Sequence, residues 1–178
     1  MVHVVPLDHR DIAVARQIHA VLMLAYAQEA RLLRAEHFAP LDQTPEDVQA
    51  SNAYFLGAVL DRVVVGALSF EPDEEPGQVL IASLVVHPEH QRRGIARALM
   101  VALLRMGEPE VFAVATGANN APALALYRSL GFEQYRLGTV GPEALPLVKL
   151  RRACPNPSVE GTCNIRLRLL SHAPHVKR

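Results

Sequence analysis

The strongest constraint on this chain is a sharp change of pattern within residues 82–104. An apolar run ends at His87 and Pro88, a short polar turn follows, and Gly94 opens an Ala- and Leu-rich segment with helical spacing. The pattern predicts a buried strand, a basic turn and a helix in direct succession. Because the first turn of a helix carries backbone N–H groups without an internal partner, this layout favours binding of a phosphate or pyrophosphate.

The residues around Gly94 support an anion site. Gly94 has no Cβ, so a ligand can approach its backbone closely. Arg92, Arg93 and Arg97 place positive charge beside it. The alternative interpretation is a plain strand–turn–helix connection with surface arginines and no ligand.

Length and charge limit the number of domains and the kinds of partner that the chain can have. Its 178 residues predict one domain, over residues 1–152, with a separate basic tail at 153–178. The 18 basic and 18 acidic residues cancel, which argues against a nucleic-acid partner. No apolar run is long enough to cross a membrane, and the N-terminus lacks a signal-peptide pattern, so a cytoplasmic protein is expected.

No metal site or nucleotide motif is predicted. Cys154 and Cys163 match no zinc spacing; free thiols are expected, with a redox pair as the alternative. His19, His87 and His90 also lack the spacing of metal ligands. Neither a Walker-type loop nor a dinucleotide-binding glycine motif occurs.

Periodicity and turn residues predict eleven elements in the order β, α, α, β, β, β, α, β, α, β, β. Asp8 is the expected N-cap of the first helix, with a break into two helices near residues 27–30 as the alternative to one continuous helix. The predicted strands cover residues 2–7, 54–60, 63–70, 79–86, 111–115, 132–137 and 145–150, and the predicted helices cover residues 9–34, 45–52, 94–106 and 120–130.

Two blocks of the sequence resemble the GNAT family of N-acetyltransferases. The first fits the motif Q/R-x-x-G-x-G/A and consists of Gln91, Arg92, Arg93, Gly94, Ile95 and Ala96. The second, residues 120–132, is similar to N-x-x-A-x-x-[LF]-Y-x-x-x-G-F. The resemblance covers roughly residues 2–152. It implies an α/β (α+β) fold with a mixed, mostly antiparallel sheet of about six to seven strands flanked by helices.

The same resemblance implies acetyl-CoA as co-substrate and a set of residues that bind it. The loop at residues 91–97 would hold the pyrophosphate, and Asn120 would bond the pantetheine arm. The preceding strand would carry a β-bulge that separates it from its parallel neighbour, so that its backbone contacts the arm and the acetyl carbonyl. The implied cofactor-binding residues are Leu84, Val85, Val86, Gln91, Arg92, Arg93, Gly94, Ile95, Ala96, Arg97, Asn120 and Tyr127.

Tyr127 is the predicted general acid. It follows Asn120 by seven residues, two helical turns, and therefore lies on the same helix face. A departing thiolate needs a proton, which a phenol can give. The alternative is a core tyrosine whose hydroxyl is bonded elsewhere.

Five residues are candidates for the general base. Glu71 is the first candidate, because strand ends border the acceptor groove in this fold, and the loop that begins with it is rich in acids that would attract a cationic acceptor. The other candidates are Ser83, Glu29, Glu36 and His37.

Three functions are compatible with these patterns. The first is transfer of an acetyl group to an amine of a small molecule or peptide, the second is a non-catalytic acyl-CoA-binding module, and the third is a structural subunit that docks through its tail. In that tail, alternation from Cys163 to Leu169 predicts an extra edge strand and a homodimer, with a disordered tail as the alternative.

Overall fold

A computed structural model describes residues 1–106 and 109–154 of the chain. It contains seven strands: β1 (His3–Leu7), β2 (Tyr54–Leu60), β3 (Val63–Pro72), β4 (Gln78–Val86), β5 (Val111–Gly117), β6 (Glu133–Val140) and β7 (Leu145–Ala153). Four α-helices accompany them: α1 (Ile12–Leu33), α2 (Pro45–Ala50), α3 (Ile95–Met106) and α4 (Ala121–Ser129). The predicted order of elements is confirmed.

The strands form one mixed sheet in the order β1-β2-β3-β4-β5-β7-β6. Five of the neighbouring pairs are antiparallel, and β4 and β5 are parallel. The chain passes from β4 to β5 through α3, as a parallel pair requires. The mixed, mostly antiparallel sheet expected from the sequence is therefore confirmed, and its one parallel pair lies in the interior.

Helices cover both faces of the sheet because successive strand residues point to opposite sides. Ala67 belongs to a buried cluster with Ile18 of α1 and Val48 of α2. The next residue, Leu68, belongs to the larger cluster with Leu99 of α3 and other side chains of α3 and α4. The four helices are thereby positioned around the central strands.

The first helix differs from the prediction in two ways. Its N-cap is Asp11 and not Asp8, because the Asp11 carboxylate accepts the Ala13 N–H at 2.7 Å. Asp8 instead closes a turn, in which its carbonyl accepts the Asp11 N–H at 3.1 Å. The helix also runs without interruption to Leu33, since Ala30 is buried and holds the segment against the fold.

Side-chain caps and turn residues define other element boundaries. Thr44 and Asp47 form a reciprocal capping box at the start of α2. Asp61 and Arg62 join β2 to β3 with φ of 49° and 67°, the backbone that two-residue hairpins favour.

Two features of the sequence lie outside the described residues. The first is Gly107, which the sequence predicts to close the helix over residues 94–106, and the second is the predicted tail strand from Cys163 to Leu169. Strand β6 lies at one edge of the sheet, and all of its residues are exposed, including Tyr135, Leu137 and Val140. In the part of the chain that is described, no helix is long and apolar enough to cross a membrane.

A matched pair on α1 tests this packing. Leu22 is 2% exposed and Leu24 is 45% exposed. We expect Leu22→Ala to lower the free energy of unfolding by about 2–5 kcal/mol through lost burial and a cavity. We expect Leu24→Ala to change it by roughly 0.5 kcal/mol or less. Urea denaturation of both variants is the measurement; equal losses would contradict the assignment of the buried helix face.

Candidate active site

The parallel strands β4 and β5 separate halfway along β4. Their pairing runs from Gln78 opposite Val111 to Ile81 opposite Val114 and goes no further. Beyond Ile81, the edge of β4 faces a cavity instead of a strand. This opening lies at the carboxyl ends of two parallel strands, a common position for ligands in sheets with parallel strands.

A β-bulge accompanies this separation. On β3, Ser69 pairs with Ser83 and Phe70 pairs with Ile81, so Ala82 is the extra residue. Ala82 is exposed although it belongs to a central strand. A bulge bends its strand and locally disrupts the ladder. The bulge expected from the family resemblance is therefore present.

The turn between β4 and α3 has the backbone of an anion-binding loop. Arg92 and Gly94 adopt φ of 61° and 79°, in the left-handed region that turns successive N–H groups toward a common centre. A Cβ built on Gly94 would meet nothing within 4 Å, so the space in front of it is open. The Gly94 carbonyl accepts the Ala98 N–H at 2.9 Å, which leaves the N–H groups of the first turn of α3 for a ligand.

The gap, the loop and two helices enclose a cavity of about 900 Å³. Its volume is within the range of small-molecule and cofactor sites. The lining consists of Ala25, Gln28, Glu29, Arg31, Leu32, Leu84, Val85, Val86, His90, Gln91, Arg92, Gly94, Ile95, Ala96, Arg97, Asn120, Pro122, Ala123, Leu126 and Tyr127.

Eleven of the twelve predicted cofactor-binding residues line this cavity. The exception is Arg93, whose side chain is exposed outside the lining. Gln91 is held in place by two hydrogen bonds of its Nε2, to Gln28 Oε1 at 2.7 Å and to the Val86 carbonyl at 3.3 Å. Arg97 donates to Ser129 Oγ at 2.5 Å, which fixes its guanidinium at the end of α4.

Helix α4 presents Asn120 and Tyr127 to the cavity. Asn120 is the N-cap: its Oδ1 accepts the Ala123 N–H at 3.2 Å, and its Nδ2 donates to Glu29 Oε1 at 3.1 Å. Tyr127 is 4% exposed and packs on Phe132 with ring centroids 5.8 Å apart. Burial raises the pKa of the Tyr127 hydroxyl, and the nearby Glu29 carboxylate and Tyr26 raise it further. The phenol therefore stays protonated across neutral pH.

The candidate bases lie in different parts of the structure. Glu71 is half-buried on β3 opposite Leu80 and does not line the cavity. Glu36 and His37 are exposed, and their backbone N–H groups donate to the Glu143 carboxylate at 3.0 and 2.5 Å. These two bonds lower the pKa of Glu143. Of the carboxylates that were candidates, only Glu29 lies in the lining.

Ser83 lies beside the bulge and is hydrogen-bonded to the neighbouring strand. Its Oγ lies 2.6 Å from Ser69 Oγ. Burial raises the pKa of Tyr26 to about 12, with a further increase from the Glu29 charge and a smaller opposing effect of Ser83. The Ser83 hydroxyl is therefore already paired with Ser69.

The sequence analysis named one residue of the α1 face that lines the cavity, the candidate base Glu29. This face consists of residues three or four positions apart, so helical periodicity alone predicts that they lie on the same side of α1: Ala25, Gln28, Glu29 and Leu32. No sequence signal showed that this face meets β4 and α4. Among the described residues, no group of three His, Cys, Asp or Glu side chains is arranged to hold a metal ion.

Comparisons with known proteins agree with the fold and the motifs. The model of the acetyltransferase (GNAT) family matches residues 19–132. YqkA of Bacillus subtilis (strain 168), described as a UPF0157 protein, is 34% identical over 129 residues, which are 72% of this chain and 37% of YqkA. The chain thus spans little more than a third of that relative.

Two further proteins are similar over most of their length. The N-alpha-acetyltransferase RimI of Mycobacterium tuberculosis is 30% identical over 123 residues, 65% of this chain and 78% of RimI. The crystal structure of PaiA N-acetyltransferase from Thermoplasma acidophilum, in complex with coenzyme A, superposes with a TM-score of 0.67. That match covers 86% of this chain and 99% of PaiA at 12% identity, and so shows the fold. The family match, the seven-stranded sheet and the separated central strands together establish that this chain belongs to the acetyltransferase (GNAT) family.

Proposed function

We propose that this chain is an acetyl-CoA-dependent N-acetyltransferase whose acceptor is an amine of a small molecule or a peptide. The observation that carries the proposal is the single cavity shared by the β4–β5 gap, the loop before α3 and Tyr127. A binding loop alone would suit many phosphate ligands. Here the loop opens into the same cavity as the unpaired edge of β4 and the buried Tyr127 phenol. This cavity suits a long ligand that has a phosphate at one end and a thioester at the other.

The residues present fit acetyl-CoA. Backbone N–H groups of residues 92–97, with Arg92 and Arg97, would hold the pyrophosphate at the start of α3. The edge of β4 at Leu84, Val85 and Val86 would bond the pantetheine arm, with Asn120 on the other side. When bound, acetyl-CoA supplies an activated acetyl group; the protein orients it and excludes water.

Tyr127 would provide the proton for the leaving thiolate. Its hydroxyl is kept protonated by burial and by Glu29, and its side chain lines the cavity two turns from Asn120. Amine attack forms the amide N–C bond and breaks the thioester C–S bond. Proton donation to sulfur then completes departure of the thiol.

A panel of amines tests the activity and separates it from simple binding. We expect acetyl-CoA to raise the melting temperature, and we expect free CoA thiol to be released only when a suitable amine is present. The panel should contain polyamines, aminoglycosides, amino acids and peptides with free N-termini. Stabilisation by acetyl-CoA without amine-dependent thiol release would favour the alternative, a non-catalytic acyl-CoA-binding module.

A further inference from the structure

The cavity contains a single carboxylate, that of Glu29, within the twenty residues that line it. Glu29 lies on α1, three residues after Tyr26 and thus on the same helix face. It is half-buried, and it reaches across to α4, where Asn120 Nδ2 donates to its Oε1 at 3.1 Å. One acidic group is therefore held at a defined position between the two helices that flank the β4–β5 gap.

The other charged and titratable groups in the lining come from several elements. Arg31 belongs to α1, His90 and Arg92 to the turn after β4, and Arg97 to α3. The two tyrosines, Tyr26 and Tyr127, lie within the electrostatic reach of Glu29. Most of the charge in the cavity thus suits a phosphorylated ligand, and Glu29 is the exception to it.

A phosphate-binding role does not explain this exception, because a carboxylate repels phosphate. An ammonium acceptor does explain it, because a carboxylate attracts a cation and can take its proton. We propose that Glu29 is the group that receives the proton of the incoming ammonium. This inference rests on the proposed acetyl transfer and names its acceptor class, a primary amine that arrives protonated.

The proton count balances over one turnover. The Glu29 carboxylate takes one proton from the ammonium, and the neutral amine attacks the thioester carbonyl. Tyr127 gives its proton to the departing thiolate, and protonated Glu29 restores the Tyr127 phenol, directly or through water. The amide nitrogen releases its excess proton to solvent. The net products are the N-acetyl amine, CoA thiol and one proton.

The surroundings of Glu29 support this role. Burial raises the pKa of Glu29, with a smaller opposing effect of the Asn120 bond, so Glu29 is a stronger base than an exposed carboxylate. The charge of Glu29 also disfavours the Tyr127 phenolate, so the phenol keeps its proton until the thiolate departs.

A carboxyl titration provides a readout that needs no turnover. We expect a ¹³C NMR titration of the side-chain carboxyls to show one glutamate with a raised pKa that disappears in Glu29→Gln. Glutamine retains an oxygen that can accept the Asn120 bond, so the variant removes the charge with little change of shape. Glu46→Gln, an exposed glutamate on α2, is the matched control and should retain the raised signal.

The pH profile provides the second readout, with acetyl-CoA and the best amine of the panel. The base must be unprotonated, so kcat/KM of the unmodified protein should fall as pH drops through the raised pKa of Glu29. In Glu29→Gln we expect a loss of about 10²-fold at neutral pH and a rate that rises only toward the pKa of the amine itself. Glu46→Gln, the control of the carboxyl titration, should retain the acidic limb, because Glu46 is exposed on α2 and lies outside the cavity lining.

Three outcomes would overturn the inference. The first is a kcat/KM of Glu29→Gln within about twofold of that of the active unmodified protein at all pH values. The proposed acetyl transfer would then stand, and Glu29 would not be its base. If Glu71→Gln removed the acidic limb, the base would be Glu71. If no amine supported turnover at all, the proposed function would fail and the inference with it.

Discussion

Replacing Gly94 with glutamate is expected to weaken acetyl-CoA binding on the order of 10³-fold. The new carboxylate would enter the open space in front of Gly94, where we place the pyrophosphate. Two like charges about 4 Å apart cost about 4 kcal/mol near a protein surface, and each 1.4 kcal/mol is about tenfold in affinity. Isothermal titration calorimetry with acetyl-CoA is the measurement.

Gly141→Glu is the matched control for that experiment. Gly141 also has a positive φ, 71°, and open space at its Cβ, but it lies in the turn between β6 and β7, outside the cavity lining. The control reproduces the backbone strain and the added charge at a distance from the proposed phosphate site. Equal Kd values for folded Gly94→Glu and for the unmodified protein would contradict the placement of the pyrophosphate.

Replacing Tyr127 with phenylalanine is expected to lower kcat by about 10²-fold while acetyl-CoA affinity changes little. The ring and its packing on Phe132 are retained, so the change removes only the hydroxyl. An interaction made mainly in the transition state lowers kcat and kcat/KM together. Steady-state kinetics with the best amine of the panel, together with calorimetry, measures both quantities.

Tyr135→Phe is the control for the same chemistry at an exposed position, since Tyr135 is 43% exposed on β6. Its kinetics should match those of the unmodified protein. A Tyr127→Phe variant with full turnover would make Tyr127 a packing residue.

Combining Tyr127→Phe with Glu29→Gln tests whether the two groups act on one proton route. If they do, the fall in kcat of the double variant should be smaller than the product of the two single falls.

Much of the architecture could be predicted from local patterns. The apolar run of β4 and the helical spacing of α3 predict the same elements that the fold contains. The position of the first N-cap could not be decided in this way, because Asp8 and Asp11 are both good capping residues. Only the fold determines which of them faces the start of α1.

Some residues of the candidate site could be predicted from the sequence and others could not. Gly94, Asn120 and Tyr127 belong to contiguous motifs, and so their shared cavity could be anticipated. The sequence offered no reason to propose Glu29 over Glu71 as the base, because a base is defined by what surrounds it across the fold. Asn120, which makes the hydrogen bond that positions Glu29, is 91 residues further along the chain.

The most direct test of the proposed activity follows the acetyl group itself. The protein is incubated with acetyl-CoA labelled with ¹³C in the acetyl group and with the best amine of the panel, and the products are analysed by mass spectrometry and NMR. We predict that the label appears in an amide on the acceptor nitrogen, with one equivalent of CoA thiol for each amide formed. Label that stays in acetyl-CoA, or that is recovered only as acetate, would contradict the assignment of N-acetyl transfer.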